Sequence, residues 1–180
     1  MSIVIPVIVA SLSGAGHVTS KISPLFDETV TTETSRVMAR KLRRRGFRCF
    51  ESDVAETGAP EPSYDVITCL NVLDRCPRPR SLLGAMHRAL APGGRLVLAV
   101  PLPLNAFFYD GPTSRDQKER LEVSRAGWER SAALLVENVL EPAGFAVETI
   151  SRVPYLCRGD SQQRLYVLDD VVLICKEKTG

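Results

Sequence analysis

Two short segments of this chain are almost continuously apolar, and few folds can accommodate them. Val66–Leu70 and Leu96–Val100 show no alternation of apolar and polar residues. Such runs are typical of central strands in a parallel sheet that helices cover on both faces. The rest of the 180-residue chain alternates β-type runs with helical stretches and contains no internal repeat. We therefore predict a single α/β domain over residues 1–180.

The pattern of strands and helices predicts a doubly wound, mostly parallel, seven-stranded Rossmann-like sheet. No helical stretch separates the last two strands, since only residues 154–164 lie between them, so the last strand is expected to be antiparallel. The predicted strands are Ile3 to Val9, Glu28 to Thr32, Phe47 to Phe50, Tyr64 to Leu70, Arg95 to Pro101, Phe145 to Arg152 and Leu165 to Cys175. The predicted helices are Ser35 to Arg45, Ser81 to Leu90 and Arg125 to Leu140.

Net charge, the length of the apolar start and the cysteine content argue against nucleic-acid binding, membrane insertion and a metal site. The net charge of +2 is too small to indicate a nucleic-acid-binding surface. The apolar start of the chain is far shorter than the ~20 residues that a membrane-spanning helix needs, so no stable membrane insertion is expected. Five scattered cysteines without a C-x-x-C pair indicate buried, reduced thiols and no metal site.

Candidate cofactor-binding residues follow the first two predicted strands. The turn 11–16 contains Gly14 and Gly16, which would let a cofactor approach backbone N–H groups. Glu33 follows the second strand, where nucleotide-binding domains hold ribose hydroxyls. The alternatives are that the glycines only form a flexible turn and that Glu33 is an acidic residue at a helix N-terminus.

An amide and an acid follow the fourth predicted strand. Asn71 and Asp74 lie three residues apart, so both side chains can face one cleft. The alternative is a loop or cap role, because Asn and Asp favour turns. The basic cluster 40–45 is interpreted as a solvated helix face with cations near the helix C-terminus, and not as a nucleic-acid site.

The order of these motifs resembles class I S-adenosylmethionine-dependent methyltransferases. Leu-Ala-Pro-Gly-Gly-Arg-Leu-Val-Leu at 90–98 and Glu-Pro-Ala-Gly-Phe at 141–145 follow the glycine turn and the acid. Three further strings, at 64–76, 152–160 and 166–170, resemble the DREV family of protein-histidine methyltransferases. The likeness runs from about His17 to the C-terminus.

This resemblance implies methyl transfer from S-adenosylmethionine to the pros nitrogen of histidine in His-x-His motifs of proteins. It implies that Gly14, Gly16, Glu33 and Asn71 bind the cofactor. It also implies that Asp74, Asn71 and Tyr166 surround the substrate imidazole. The expected partner is a protein or peptide with a His-x-His motif, and the chain is expected to be a monomer. The cellular compartment is not predicted: cytoplasm is the default, whereas the family is linked to endomembranes and mitochondria.

The first turn departs from the family pattern. Family members read Asp-Leu-Gly-Ala-Gly-Asp-Gly-Glu, whereas this chain reads Ala-Ser-Leu-Ser-Gly-Ala-Gly-His at 10–17. The family segment that precedes the first strand is also not found here, which suggests an altered or truncated form. The alternative hypothesis is therefore a catalytically inactive, peptide-binding or regulatory module. A small-molecule methyltransferase is a further alternative, because one fold serves many acceptors.

Overall fold

The structure is a computed structural model that describes residues 6–10, 16–60, 63–123, 127–158 and 164–178. The helices are α1 (His17–Ile22), α2 (Arg36–Arg44), α3 (Val54–Thr57), α4 (Pro79–Ala89) and α5 (Trp128–Leu135), and a π-helical turn at Val136–Leu140 continues α5. The strands are β1 (Pro6–Ala10), β2 (Glu28–Thr32), β3 (Arg48–Phe50), β4 (Tyr64–Leu70), β5 (Leu90–Pro101), β6 (Phe108–Asp110), β7 (Thr113–Arg115), β8 (Phe145–Arg158) and β9 (Leu165–Glu177). The predicted α/β class is confirmed.

The main sheet has the strand order β3-β2-β1-β4-β5-β9-β8. The pairs from β3 to β5 are parallel, whereas β9 is antiparallel to both β5 and β8. The order reverses between β1 and β4, so right-handed crossovers place the first and second sets of helices on opposite faces. Ligands of open α/β sheets bind at such a reversal, outside the carboxyl ends of the strands.

The two apolar runs form the centre of the sheet, as predicted. Ile67 and Cys69 of β4 and Leu96 and Leu98 of β5 are completely buried. The helix α4 connects these two strands and buries one face against them. The buried side chains of that face are those of Leu82, Leu83, Ala85, Met86 and Ala89.

The first strand is described in part. β1 covers Pro6–Ala10, one residue past the predicted end at Val9, and the predicted residues 3–5 lie outside the described residues. Proline has no N–H to donate to a strand ladder. Pro6 nevertheless lies in register with Glu28 of the neighbouring strand β2.

The β8–β9 hairpin extends further than predicted. The structure continues β8 to Arg158, although residues 154–164 were expected to be a loop. Pairing of β9 with β5 ends at Asp170 and Pro101, but pairing with β8 continues to Leu165. We call the part at 153–158 and 165–169 the arm. The arm projects past the carboxyl edge of the parallel strands and has only its own two strands to pair with among the described elements.

A small hairpin that the sequence analysis missed follows β5. Phe108–Asp110 pairs with Thr113–Arg115 through the two-residue turn Gly111-Pro112. Gly111 has a φ of 62°, which glycine adopts without steric cost. Glycine at the first position of a two-residue turn is a hairpin signal that could have been recognised.

The sequence expectations on the basic helix and on the cysteines agree with the structure. In α2 the basic side chains are exposed, while Ala39 and Leu42 are buried, which confirms a solvated helix face. Four of the five free cysteines are buried, and Cys157 on the arm is half-buried. Among the described residues, the helices are all too short or too polar to cross a bilayer.

Candidate functional site

Polar side chains gather at the carboxyl edge of the sheet, around the reversal of strand order. Glu33 directly follows β2, and Asn71 directly follows β4. Because β9 runs in the opposite direction, its residue Asp170 reaches the same edge and pairs with Pro101 at the end of β5. These side chains come from positions up to 137 residues apart in the sequence.

Glu33 is buried and keeps one carboxylate oxygen unused. Its Oε1 accepts a hydrogen bond of 2.9 Å from the Ser35 N–H, just before α2. Its Oε2 is buried and has no hydrogen-bond partner in the described part of the chain. Burial raises the pKa of the Glu33 carboxyl, and hydrogen bonds from Ser35 and Thr34 partly offset this effect. Oε1 thus acts as the alternative interpretation expects of an acid near a helix N-terminus. Oε2 is available to a ligand.

Glu33 lines a cleft of about 290 Å³. The walls come from the segments that follow β2, β3 and β4, and the β6–β7 hairpin contributes two aromatic side chains. The lining residues are Thr32, Glu33, Thr34, Ser52, Asp53, Val54, Val72, Arg75, Cys76, Pro77, Leu82, Phe108 and Tyr109. We call this space the Glu33 cleft.

The glycine turn is described only at its last residue. Gly14 lies outside the described residues, so its predicted role stays a prediction. Gly16 is buried and has a φ of 71°, at the start of α1. A Cβ atom at Gly16 would lie 2.5 Å from Leu42 Cδ2, so a larger residue would clash there. The structure therefore gives Gly16 a packing role, and cofactor contact remains untested.

Asn71 combines a loop role with a free acceptor atom. Its φ of 56° is left-handed, a conformation that asparagine tolerates better than most residues, and its N–H donates to the Ala99 carbonyl at 2.9 Å. The side-chain Nδ2 donates to the hydroxyl of Tyr155 on the arm. The side-chain Oδ1 is buried and has no partner among the described residues.

Asp74 lies in the turn after β4 and is 1% exposed. Its Oδ2 forms an ion pair of 2.6 Å with Arg75 Nη1. The Arg75 guanidinium also donates to the Asn105 carbonyl at 2.7 Å and lies 4.1 Å from the centre of the Phe107 ring. Burial raises the pKa of the Asp74 carboxyl, and the Arg75 charge opposes that rise. The second oxygen, Oδ1, has no hydrogen-bond partner in the described structure.

Gln117 stabilises the turn that contains Asp74, a role that the sequence analysis missed. It is 6% exposed, and its Nε2 donates to the carbonyls of Leu73 and Cys76, both at 2.8 Å. These two carbonyls bracket Asp74 in the sequence. A lone Gln in a loop carries no pattern that would reveal this role.

Two further residues of the site, Tyr155 and Asp170, were also missed. Asp170 is 4% exposed and accepts side-chain hydrogen bonds from Asn71 and Tyr155. Burial, reinforced by the charge of Asp74, raises the pKa of Asp170 to about 6. The Asp170 Oδ1 atom is buried without a partner in the described residues. The string Tyr-Val-Leu-Asp-Asp at 166–170 marked this strand, but only the sheet register shows which Asp faces the site.

Tyr166 lies on the arm, on the same face as Tyr155. Tyr155 is opposite Leu168 and Cys157 is opposite Tyr166, and directly opposed or alternate residues share one face of a sheet. Tyr166 is four residues from Asp170, which is roughly 13 Å along an extended strand. The structure thus brings Tyr155 to Asn71 and places Tyr166 further out on the arm. The predicted role of Tyr166 stays a prediction.

The buried part of the site offers acceptors and few donors. Asn71 Oδ1, Asp74 Oδ1 and Asp170 Oδ1 are all unsatisfied within the described structure. We call Asn71, Asp74, Asp170 and Tyr155 the acidic cluster. A buried polar atom without a partner is costly, so such a site favours a ligand that carries N–H donors. Within the described ranges there is no group of three or more His, Cys, Asp or Glu side chains arranged for a metal ion.

The chain matches the sequence model of one protein family. That model describes the DREV methyltransferases, and residues 8–177 match it. The match includes both the Glu33 cleft and the acidic cluster. It confirms the family resemblance of the three sequence strings.

The fold is similar to those of solved methyltransferases. A TehB-like SAM-dependent methyltransferase from Corynebacterium glutamicum is 16% identical and superposes with a TM-score of 0.63, over 99% of this chain and 83% of that one. A S-adenosylmethionine-dependent methyltransferase from Clostridium acetobutylicum is 14% identical, with a TM-score of 0.63 over 98% and 85% of the two chains. The 1,6-didemethyltoxoflavin-N1-methyltransferase of Burkholderia thailandensis, solved with 1,6-didemethyltoxoflavin and S-adenosylhomocysteine, is 20% identical, with a TM-score of 0.59 over 97% and 71%. This similarity confirms the class I methyltransferase fold.

Proposed function

The chain belongs to the DREV methyltransferase family, and we propose that it methylates the pros nitrogen of histidine in His-x-His motifs of proteins. S-adenosylmethionine is the cofactor of this class of enzyme. The acidic cluster is the observation that carries the choice of acceptor.

The chemistry of the acidic cluster suits a neutral imidazole. A neutral imidazole has one N–H donor and one nitrogen with a free lone pair. The unsatisfied oxygens of Asn71, Asp74 and Asp170 can accept a hydrogen bond from the N–H but offer the bare nitrogen nothing. The bare nitrogen is then left free to react. An acceptor that reacts as an anion would be repelled by the two carboxylates.

The Glu33 cleft suits the cofactor. A carboxylate oxygen without a partner can accept hydrogen bonds from the hydroxyls of a ribose, and Glu33 Oε2 is such an atom. Val54, Val72 and Leu82 provide apolar surface that suits the flat base of an adenosyl group. When bound, S-adenosylmethionine supplies an electrophilic methyl group on a cationic sulfur. Arg75 lines the cleft and also pairs with Asp74, so one side chain connects the two halves of the site.

Asp74 has two tasks in this reaction. Its free Oδ1 accepts the imidazole N–H and so orients the ring, while Arg75 holds Oδ2. The ring becomes cationic as it gains the methyl group, and a carboxylate already in place stabilises that charge without reorganisation. Alignment of the reacting nitrogen supplies the rest of the rate enhancement.

Tyr166 is proposed to form the outer wall of the imidazole pocket. It shares a face of the arm with Tyr155, which reaches Asn71. A peptide that enters past the arm would therefore meet Tyr166 before its histidine reached the acidic cluster.

Methyl transfer to a defined peptide tests this function. The purified chain is incubated with methyl-labelled S-adenosylmethionine and a peptide that contains one His-x-His motif, and the modified residue is identified by mass spectrometry. The expected product is a monomethylated peptide with N-pros-methylhistidine. The matched control peptide carries Ala-x-Ala. Absence of label at saturating cofactor, with a folded protein, would contradict the proposal.

The altered first turn supports a second candidate, a peptide-binding module without activity. Residues 10–17 lack all three acids and one glycine of the family pattern. Loss of a hydrogen bond that a cofactor donates to a carboxylate costs about 1.5–3 kcal/mol, or roughly ten- to a hundredfold in affinity. Peptide binding without cofactor binding would favour this candidate over the enzyme.

A further inference from the structure

The arm has two edges, and the strand pairing shows which backbone groups point to each. The Leu102 N–H donates to the Asp169 carbonyl at 3.0 Å, so the N–H and C=O of Asp169 point towards β5. This direction alternates from residue to residue along an antiparallel strand. The backbone groups of Leu168 therefore point towards β8, and those of Val167 point to the β5 side again. Among the described elements no strand pairs with β9 on that side beyond Asp169.

The outer edge of the arm, on β8, is protected against a further strand. Pro154 is opposite Asp169, so by the same alternation its backbone nitrogen points away from β9. That nitrogen carries no hydrogen, and prolines on edge strands prevent the addition of another strand. On the inner edge, Val167 offers both an N–H and a C=O, and neither has a backbone partner in the described part of the chain. The inner edge can therefore accept a strand, whereas the outer edge resists one.

The inner edge lies beside the acidic cluster. β5 pairs with β9 as far as Asp170. After β5 the chain leaves the sheet for the turn that follows β4, where the Phe107 N–H donates to the Asp74 carbonyl at 3.0 Å. A strand added at Val167 would continue the line of β5, three residues along β9 from Asp170, which is roughly 10 Å.

We propose that the substrate peptide binds to this inner edge as an additional β-strand, with the residue between its two histidines opposite Val167. The inference rests on the proposed function, which supplies the His-x-His segment. In such complexes the main-chain hydrogen bonds provide affinity and alternate side chains provide specificity. The edge would therefore recognise the extended backbone of the peptide, and the site would recognise its histidines.

The spacing of the motif fits this mode of binding. Side chains alternate between the two faces of a strand, so both histidines of His-x-His lie on one face and x lies on the other. With x opposite Val167, the histidines lie opposite Tyr166 and Leu168, on the face that also carries Tyr155 and Asp170. The Val167 side chain is 76% exposed, which leaves room for x on the other face. In His-x-x-His the second histidine would turn away from the site.

Backbone substitutions in the peptide test the proposal on the unaltered chain. In a fluorescently labelled His-x-His peptide, the amide N–H of each of the three residues is replaced singly by an ester oxygen, which removes one donor and keeps every side chain. Fluorescence anisotropy without methyl donor measures the dissociation constant. Because a strand presents alternate N–H groups to its neighbour, we expect a rise of about three- to tenfold at alternate positions only. These positions are x alone for an antiparallel strand and the two histidines alone for a parallel one. Equal effects at all three positions would overturn the inference.

Two proline variants of the arm provide a matched pair. Val167→Pro removes an N–H from the inner edge, and Leu156→Pro removes one from the outer edge, directly opposite Val167. We expect the dissociation constant of the peptide to rise about tenfold in Val167→Pro and to stay within twofold in Leu156→Pro. Thermal unfolding shows whether both variants are folded, and the ester series does not depend on either of them.

The outcomes separate the inference from the proposed function. Equal peptide affinity in the two folded proline variants would overturn strand addition. A Val167→Pro variant that changed the oligomeric state and not the peptide affinity would also overturn it, because the edge would then bind a second copy of the chain. An alternating ester pattern in a peptide that is bound but never methylated would support strand addition and contradict the proposed function alone.

Discussion

The Glu33 cleft and the acidic cluster lie side by side at one edge of the sheet, but they are built in different ways. The cleft is lined by short segments that directly follow β2, β3 and β4, together with the β6–β7 hairpin. The cluster joins the end of β4 to the arm, and its contact between Asn71 and Tyr155 spans 84 positions of sequence. The cleft is thus largely local, whereas the cluster depends on the register of the last two strands.

The difference in chemistry follows from this difference in construction. In the cleft a single carboxylate oxygen of Glu33 is unsatisfied, beside apolar side chains. In the cluster two carboxylates lie close enough for the charge of Asp74 to raise the pKa of Asp170. The cleft suits a ligand with hydroxyl groups and a flat apolar ring, and the cluster suits a group that donates a proton and becomes cationic. A methyl donor and a basic nitrogen acceptor meet these two requirements.

Asp74→Asn is expected to have the largest effect of the substitutions in the two regions. It removes the charge that stabilises the developing imidazolium, so kcat should fall about 10²- to 10³-fold, or roughly 3–4 kcal/mol in activation free energy. Binding of S-adenosylmethionine should change little, because Asp74 does not line the cleft. Steady-state kinetics and calorimetry on the same sample measure both quantities.

The matched control for this variant is Asp65→Asn. Asp65 lies near the start of β4, at the opposite edge of the sheet, and should leave kcat unchanged. If Asp74→Asn lowered the affinity for S-adenosylmethionine by the same factor as kcat, the Glu33 cleft and the acidic cluster would not act independently.

Glu33→Gln is expected to have the complementary effect. The amide can form fewer charge-assisted hydrogen bonds with a diol, so the dissociation constant of S-adenosylmethionine should rise about ten- to a hundredfold, or 1.5–3 kcal/mol. At saturating cofactor, kcat for the peptide should recover. Glu28→Gln, at the start of the same strand, is the control and should bind as the unaltered chain does. Normal cofactor affinity in Glu33→Gln would remove Glu33 from the donor site.

Asp170→Asn is expected to stabilise the cofactor-free fold at neutral pH. Burial raises the pKa of Asp170 to about 6, above the usual value for an unfolded Asp, so the ionised form is disfavoured in the folded state. The variant should gain about 1–2 kcal/mol in the free energy of unfolding at pH 7.5. The unaltered chain regains this stability as pH falls from above 6 towards 4, so the advantage of the variant should shrink at pH 5. Urea unfolding at the two pH values measures it, and an advantage that is equal at both would contradict the pKa assignment.

Asp169→Asn should show the smallest effect. Asp169 is one residue away on the other face of β9, and its ion pair with Arg152 is exposed. Exposed ion pairs contribute about 0.2–1 kcal/mol, so the variant should lose at most this amount and show no gain at neutral pH. Comparison of urea midpoints for the two neighbouring Asp variants checks this. If Asp169→Asn also raised the free energy of unfolding, the gain in Asp170→Asn would come from removing a negative charge from β9 and not from the burial of Asp170.

The local part of the site could be predicted from the sequence. Continuous apolar runs identified β4 and β5, and polar residues directly after strands of a parallel sheet share its carboxyl edge. Glu33, Asn71 and Asp74 were found in this way, and each has an unsatisfied oxygen in the described structure. Glu33 fits both interpretations, as a ligand-binding acid and as an acid near a helix N-terminus, since its Oε1 accepts a hydrogen bond from the Ser35 N–H just before α2.

The long-range part could not be predicted in the same way. The participation of Tyr155 depends on the extension of β8 through Pro154 and on the pairing of Tyr155 with Leu168. A shift of one residue in this register would turn Tyr155 and Asp170 to the other face. Gln117 likewise reaches Leu73 and Cys76 from a segment without regular structure. Such contacts are set by tertiary packing and leave no local pattern.

Binding of S-adenosylmethionine to the unaltered chain decides between the enzyme and the peptide-binding module, because the first turn departs from the family pattern while the Glu33 cleft is intact. Isothermal titration calorimetry on the purified protein measures the dissociation constant and the stoichiometry. We expect one site with micromolar affinity. A folded protein that binds no S-adenosylmethionine, yet still binds a His-x-His peptide, would contradict the assignment as a methyltransferase and favour the peptide-binding module.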